Sequence, residues 1–191
     1  MFVCISDLVD IRQNGGYHFG AVPHDVLFDT MMTLRNYVSL DKTQLGGIAL
    51  AAFEQFKSDY TDWPAMVAGV SRMGDLAEDG EIIVAEDAGR IVGGVVYVGP
   101  HKPKASYFDP SWPIIRMLVV APEAQGRGLG RQLTQACIDR ASRDRSPIIA
   151  LHTSPIMAVA LPMYLRMGFI KHSDAPDIHG VPYSIYTRAV G

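Results

Sequence analysis

The chain has 191 residues, 48% of them hydrophobic and 19% charged, which is enough for one sizeable core and short for two. A formal charge of -3 excludes a global basic field for nucleic acid or anionic lipid, so any anion site has to be local. No apolar run is long enough to span a membrane, and the start MFVCISDLVDIR lacks the basic residues and long apolar middle of a signal peptide, so the expected compartment is cytoplasmic, with neither nucleic acid nor membrane as a partner.

Residues 1–32 show weak periodicity and an NGG interruption, and read as an irregular arm preceding one domain over residues 33–191. The arm's apolar residues, Phe2, Ile5, Phe19 and Phe28 among them, call for a surface to cover, either on this domain or on a second subunit in a homodimer. Leu34 to Val38 reads as a short strand. A helix capped by Asp41 or Thr43 follows, with Leu45, Ile48, Ala49, Ala52, Phe53 and Phe56 at three- and four-residue spacings on one side. Asp62-Trp63-Pro64 opens a second helix, expected to run to Leu76. Glu81 to Glu86 and Arg90 to Val98 read as strands joined by the tight turn Asp87-Ala88-Gly89. After a Pro-rich loop, Gly99 to Pro113, come a strand from Ile114 to Val120, a glycine-rich turn, and a helix to Arg143 with Leu129, Leu133, Ala136, Cys137 and Ala141 inward. Pro147 to His152 is read as a strand and Ser154 to Met167 as a helix kinked at Pro162. Phe169 to His172 and Val181 to Ala189 are read as the last two strands.

The glycine-rich turn is Gln125-Gly126-Arg127-Gly128-Leu129-Gly130-Arg131. A strand that ends in such a turn and opens a helix offers unpaired backbone N–H groups and a positive dipole end, which together bind phosphate. Arg127 and Arg131 would add charge beside those amides. A P-loop is excluded, because Gly130 is followed by Arg131 and Gln132 rather than Lys and Ser or Thr. A dinucleotide fingerprint is disfavoured as well, because Arg131 falls where its third glycine belongs and a hairpin precedes the strand.

The run Leu118-Val119-Val120-Ala121-Pro122-Glu123 followed by Gln125 to Gly130 resembles the Q/R-x-x-G-x-G/A pyrophosphate loop of the GNAT superfamily of acyl-CoA-dependent N-acyltransferases. Ala160 to Phe169, ALPMYLRMGF, is similar to that family's A-x-x-x-Y-x-x-x-G-F. The order of elements from Thr33 onward agrees with both motifs. The resemblance implies an α/β (α+β) fold with a mixed sheet of about seven strands and helices on both faces. It implies acetyl-CoA as co-substrate, no metal, and direct acetyl transfer in a ternary complex to a primary amine of a small molecule or peptide. The alternative is an acyl-CoA-binding module without turnover. By resemblance, backbone groups of Leu118, Val119 and Val120 would pair with the pantetheine arm, and the Val120 N–H would stabilise the oxyanion. Amides of Gln125, Gly126, Arg127, Gly128, Leu129 and Gly130 would hold the pyrophosphate, and Tyr164 would protonate the leaving thiolate. One departure is Met157, where many members carry Asn seven residues before the tyrosine.

For the acceptor, Glu54, Asp59 and Asp62 fall where such enzymes gather binding residues, and Asp109 lies in the loop before the central strand. Arg116 interrupts an apolar strand, either as a structural bridge or as a bidentate carboxylate ligand facing the acceptor. His152 ends the next strand as a base or a core histidine. Cys4 and Cys137 match no metal or redox spacing, and His172 and His179 have no supporting ligands.

Overall fold

The computed structural model describes residues 32–191, so the arm and Cys4 lie outside the described residues. Seven strands form one sheet in the order β1-β2-β3-β4-β5-β7-β6. They are β1 (Thr33–Asn36), β2 (Glu81–Asp87), β3 (Arg90–Val98), β4 (Ile114–Val120), β5 (Ile148–Thr153), β6 (Ile170–Ile178) and β7 (Val181–Ala189). All neighbouring pairs are antiparallel except β4 with β5. Helix α1 covers Lys42–Glu54, α2 Trp63–Val70, α3 Leu129–Arg143 and α4 Ala160–Arg166.

Strand alternation separates two cores, one on each face of the sheet. Ile83 and Ala85 of β2 pack with Leu129, Leu133, Cys137 and Ala141 of α3, whereas Ile82 and Val84 pack with Leu45 and Ala49 of α1. A third cluster joins Met66 and Val70 of α2 to Val181 and Tyr183 of β7. Both hairpins turn tightly on consecutive residues with positive φ, Ala88 (50°) with Gly89 (77°) and His179 (46°) with Gly180 (83°), the conformation that matches strand twist.

One cap and three boundaries differ from the sequence reading in ways that bear on the site or its supports. Asp41 does precede α1, but its carboxylate bonds backward, to the Val38 N–H and to the guanidinium of Arg35, and does not cap the helix. Helix α2 stops at Val70, and a 3-10 turn over Met73–Glu78 covers the remainder of the expected helix. Strand β6 runs six residues past His172, because an edge strand tolerates Pro176 and two register shifts against β7. Helix α4 begins at Ala160, which places Pro162 in its first turn, where the missing N–H would have had no helical partner; no kink is required there.

Candidate active site

Strands β4 and β5 pair only at Ile114 with Ala150 and Ile115 with Leu151, and past these residues the edge of β4 that faces β5 is open. The divergence coincides with a bulge. Arg116 opposes Val96 and Val119 opposes Gly94, so β4 carries an extra residue, and Met117 sits at φ 54°. Beyond the bulge the Ala121 N–H donates to the Val92 carbonyl at 2.9 Å, and the Val119 carbonyl approaches to 2.9 Å from where a Cβ on Gly93 would stand. Backbone groups of Val119 and Ala121 therefore face β3, and alternation turns those of Val120 toward the open edge. The Val120 carbonyl accepts a long 3.4 Å hydrogen bond from Gln125 Nε2.

A groove of about 610 Å³ lies along this edge. Its walls are Ala52, Phe53, Gln55 and Phe56 at the end of α1, Leu118, Val119 and Val120 of β4, and Ile156, Met157, Ala158, Val159, Ala160, Met163, Arg166 and Met167 in and before α4. Its end is the glycine turn, represented by Gln125, Gly126, Gly128, Leu129, Gly130 and Arg131. Gly126 and Gly128 take φ 76° and 78°, and Gly128 is the residue immediately before α3, so the turn leaves the helix's first amides uncovered. A Cβ at Gly130 would stand 3.3 Å from Met163 Sδ, so a larger residue there would press on the Met163 side chain. Long apolar walls ending in free amides and the Arg131 side chain fit a ligand with an extended arm and a phosphate end.

The structure brings Gln125, Gly126, Gly128, Leu129, Gly130, Arg131, Leu118 and Val120 to this groove, but the Gln125 N–H, expected to hold the pyrophosphate, already donates to the Pro122 carbonyl at 3.3 Å. Val119 contributes to the wall, but its backbone is committed to β3 and its side chain is buried on the α1 face. Arg127 is turned away: its guanidinium donates to Asp87 at 2.8 Å, on the β2–β3 turn. Tyr164 lies one residue from groove-lining Met163, is 5% exposed as a residue, and packs its ring edge-on against Phe169. Burial raises its phenol pKa well above the ordinary value. Met157 occupies the groove wall and accepts a 3.4 Å contact from Thr153 Oγ1 through its sulfur.

A second cavity, of about 330 Å³, is lined by Asp79, Lys104, Tyr107, Phe108, Ile114, Ile115, Arg116 and His152 among others. The Arg116 side chain is exposed and has no ion pair or hydrogen bond with any described residue, which removes the structural-bridge reading. The His152 ring sits among Tyr107, Phe108 and Tyr183, and burial, reinforced by the charge of Arg116, pushes its pKa down to about 4. Glu54 pairs with Lys57 at the surface, Asp59 is exposed, Asp62 caps α2 through the Ala65 N–H, and Asp109 accepts from Ser111; none of the four lines either cavity. Sequence reasoning missed Lys104 and Tyr107, which stand in the Pro-rich loop without any local pattern to mark them. Among the described residues no group of three or more His, Cys, Asp or Glu is placed to hold a metal, and no helix is long and apolar enough to cross a membrane.

A split parallel pair and a glycine turn at a helix start, on a seven-stranded mixed sheet, define an α/β protein with an open strand edge leading to an anion-binding type of turn. The model of the acetyltransferase (GNAT) family matches residues 47–169, well over half of the chain, and the protein belongs to that family of enzymes. No curated protein matches the chain. Solved structures share the fold. A GNAT-family acetyltransferase of Staphylococcus aureus is 16% identical, with a TM-score of 0.66 over 84% of this chain and 100% of the other. The yncA protein of Salmonella typhimurium, solved with its cofactor acetyl-CoA, is 18% identical, with a TM-score of 0.60 over 84% and 95%. The N-acetyltransferase YhbS of Escherichia coli, in complex with CoA, is 19% identical, with a TM-score of 0.60 over 84% and 82%.

Proposed function

We propose that the protein transfers an acetyl group from acetyl-CoA to a primary amine, directly and within a ternary complex. The observation that carries this reading is the open edge of β4, with the Val120 backbone turned into a groove that ends at the amides before α3. Those amides and Arg131 would hold the pyrophosphate, and the apolar walls from α1 and α4 would enclose the arm. The Val120 N–H would donate to the thioester oxygen as negative charge develops on it. Tyr164, held protonated by burial at neutral pH, would return a proton to the departing thiolate. Binding of CoA or acetyl-CoA by yncA and YhbS supports the choice of donor.

The test is acetyl-CoA-dependent thiol release with a panel of amines, with the acetylated product identified by mass spectrometry. Product formation establishes the activity. Tight acetyl-CoA binding with no product from any amine would replace this reading with that of a binding module, which the carboxylate-free groove lining would then explain.

A further inference from the structure

Strand β4 serves both cavities. It gives Ile114, Ile115 and Arg116 to the smaller one and Leu118, Val119 and Val120 to the groove, with only the bulged Met117 between. Whatever fills the smaller cavity therefore lies within one or two residues of the point where the β4 edge opens.

The charge in that cavity is unbalanced. Among the described residues its cations are Lys104 and Arg116, and its one acid is Asp79. Gly80 approaches the Tyr97 carbonyl so closely that a Cβ there would stand 2.5 Å from it, which puts the neighbouring Asp79 at the end of the cavity where β3 finishes and β4 starts. Arg116 is two residues further along β4 than Ile114, about 7 Å of strand. Lys104 Nζ donates to the carbonyls of Gly99 at 3.2 Å and Pro110 at 3.0 Å, so it is held by the loop itself. The guanidinium of Arg116 has no such partner among the described residues, and the groups near it, the Tyr107 phenol and the neutral His152 imidazole, carry no negative charge. A guanidinium on a strand otherwise built from apolar residues, lining a cavity whose acid, Asp79, makes no ion pair with it, is arranged for an anion with planar, bidentate geometry.

We propose that the smaller cavity is the acceptor pocket and that Arg116 selects amines that also carry a carboxylate, as amino acids and short peptides do. This rests on the acetyltransferase reading above. With the carboxylate on Arg116, the amino group extends past Met117 toward the open edge. There the N–C bond forms as the thioester C–S bond breaks, and the proton lost by nitrogen is matched by one taken up by the thiolate.

The experiment compares L-amino acids with their carboxamides as acceptors, for the wild type, Arg116→Met and Arg116→Lys. Carboxylates should be favoured in kcat/KM by about ten- to hundredfold, the range for a hydrogen bond to a charged group. Arg116→Met should erase that preference by raising the acceptor KM, and Arg116→Lys should restore part of it; acetyl-CoA affinity should hold in both, confirming that the variants fold. Equal use of acids and amides by the wild type, or an unchanged preference in Arg116→Met, overturns the proposal. A second readout does not depend on turnover: an L-amino acid bound beside Arg116 should raise the His152 pKa in an NMR titration of the CoA complex, and not in Arg116→Met. That shift without any acetyl transfer would refute the enzymatic reading and leave the anion site standing. Absence of the shift in an enzyme that acetylates only uncharged amines refutes the site and leaves the activity.

Discussion

The Tyr107 hydroxyl lies 3.1 Å from Nδ1 of His152, and the two rings stack with centroids 5.9 Å apart and planes 26° apart. Phe108 and Tyr183 close on the same imidazole at 5.8 Å and 5.3 Å. This aromatic setting ties the Pro-rich loop before β4 to the end of β5, across the mouth of the smaller cavity. It also keeps His152 neutral, since an imidazolium there would lose its hydration and face Arg116.

That neutrality makes stability depend on pH. The imidazole titrates near 6.5 when unfolded and at about 4 when folded, so on acidification the unfolded chain takes up the proton first. The contribution is fully present above pH 6.5 and is lost as pH falls from there toward 4, amounting to about 3 kcal/mol at most. Urea unfolding at a series of pH values should show this decline, and His152→Gln should flatten it. An equal slope in the variant would assign the decline to other groups.

The glycine turn predicts a difference between two substitutions at one position. Gly128 has φ 78° and open space around a built Cβ, so Gly128→Ala should cost about 1 kcal/mol in backbone strain while leaving CoA able to bind. Gly128→Asp adds a negative charge beside the amides that would meet the pyrophosphate. CoA at a hundredfold excess over its Kd should stabilise the wild type by about 2.7 kcal/mol, read as a rise in Tm, and the Asp variant should lose that rise. A retained CoA response in Gly128→Asp would move the phosphate site elsewhere.

Asp41 gives a purely structural prediction. It is 7% exposed and accepts from Arg35 Nη1 at 2.7 Å, Arg35 Nη2 at 2.9 Å and the Val38 N–H at 2.8 Å, locking the end of β1 to the start of α1. The guanidinium of Arg35 holds its pKa below the ordinary value, so this stabilisation is present above pH 3.8 and disappears as pH falls through the lower folded value. Asp41→Ala strands the Val38 donor and one face of Arg35, and should cost about 1–3 kcal/mol in denaturant unfolding at pH 7. A loss under 0.5 kcal/mol, the usual size of a surface change, would mean that water replaces the carboxylate.

The parts of this molecule legible in its sequence are those where one local rule decides. Strands β3, β4 and β7 are rich in Val, Ile and Tyr, and α3 repeats its buried stripe at helical spacing from Leu129 to Ala141. The glycine turn announces itself because strand, turn and helix are contiguous. Strand β6 does not, since most of its side chains face solvent and no alternation marks where pairing ends. The start of α4 is equally hidden, because Ser154-Pro155 looks like a helix opening yet the chain forms turns until Val159 to build the groove wall. Arg127 and Arg131 are equivalent on paper, and Asp87, forty residues earlier, separates them by taking Arg127. The smaller cavity draws on two loops and two strands, so Lys104, Tyr107 and His152 become neighbours only once the sheet is assembled.

Tyr164 tests the proposed chemistry most directly. Its ring packs on Phe169, its backbone carbonyl accepts from the N–H groups of Met167 and Phe169 at the end of α4, and Gly168 takes φ 86° between them, so the ring's position is fixed by the helix end. Tyr164→Phe keeps the ring and those contacts and removes only the hydroxyl. If that hydroxyl protonates the leaving thiolate, kcat should fall about a hundredfold or more, with the Kd for acetyl-CoA and the Tm nearly unchanged. The residual rate should rise with an acyl donor whose thiol is more acidic, because a better leaving group needs less protonation. A kcat that stays at the wild-type level under single-turnover conditions would make Tyr164 a core aromatic and hand protonation of the thiolate to solvent.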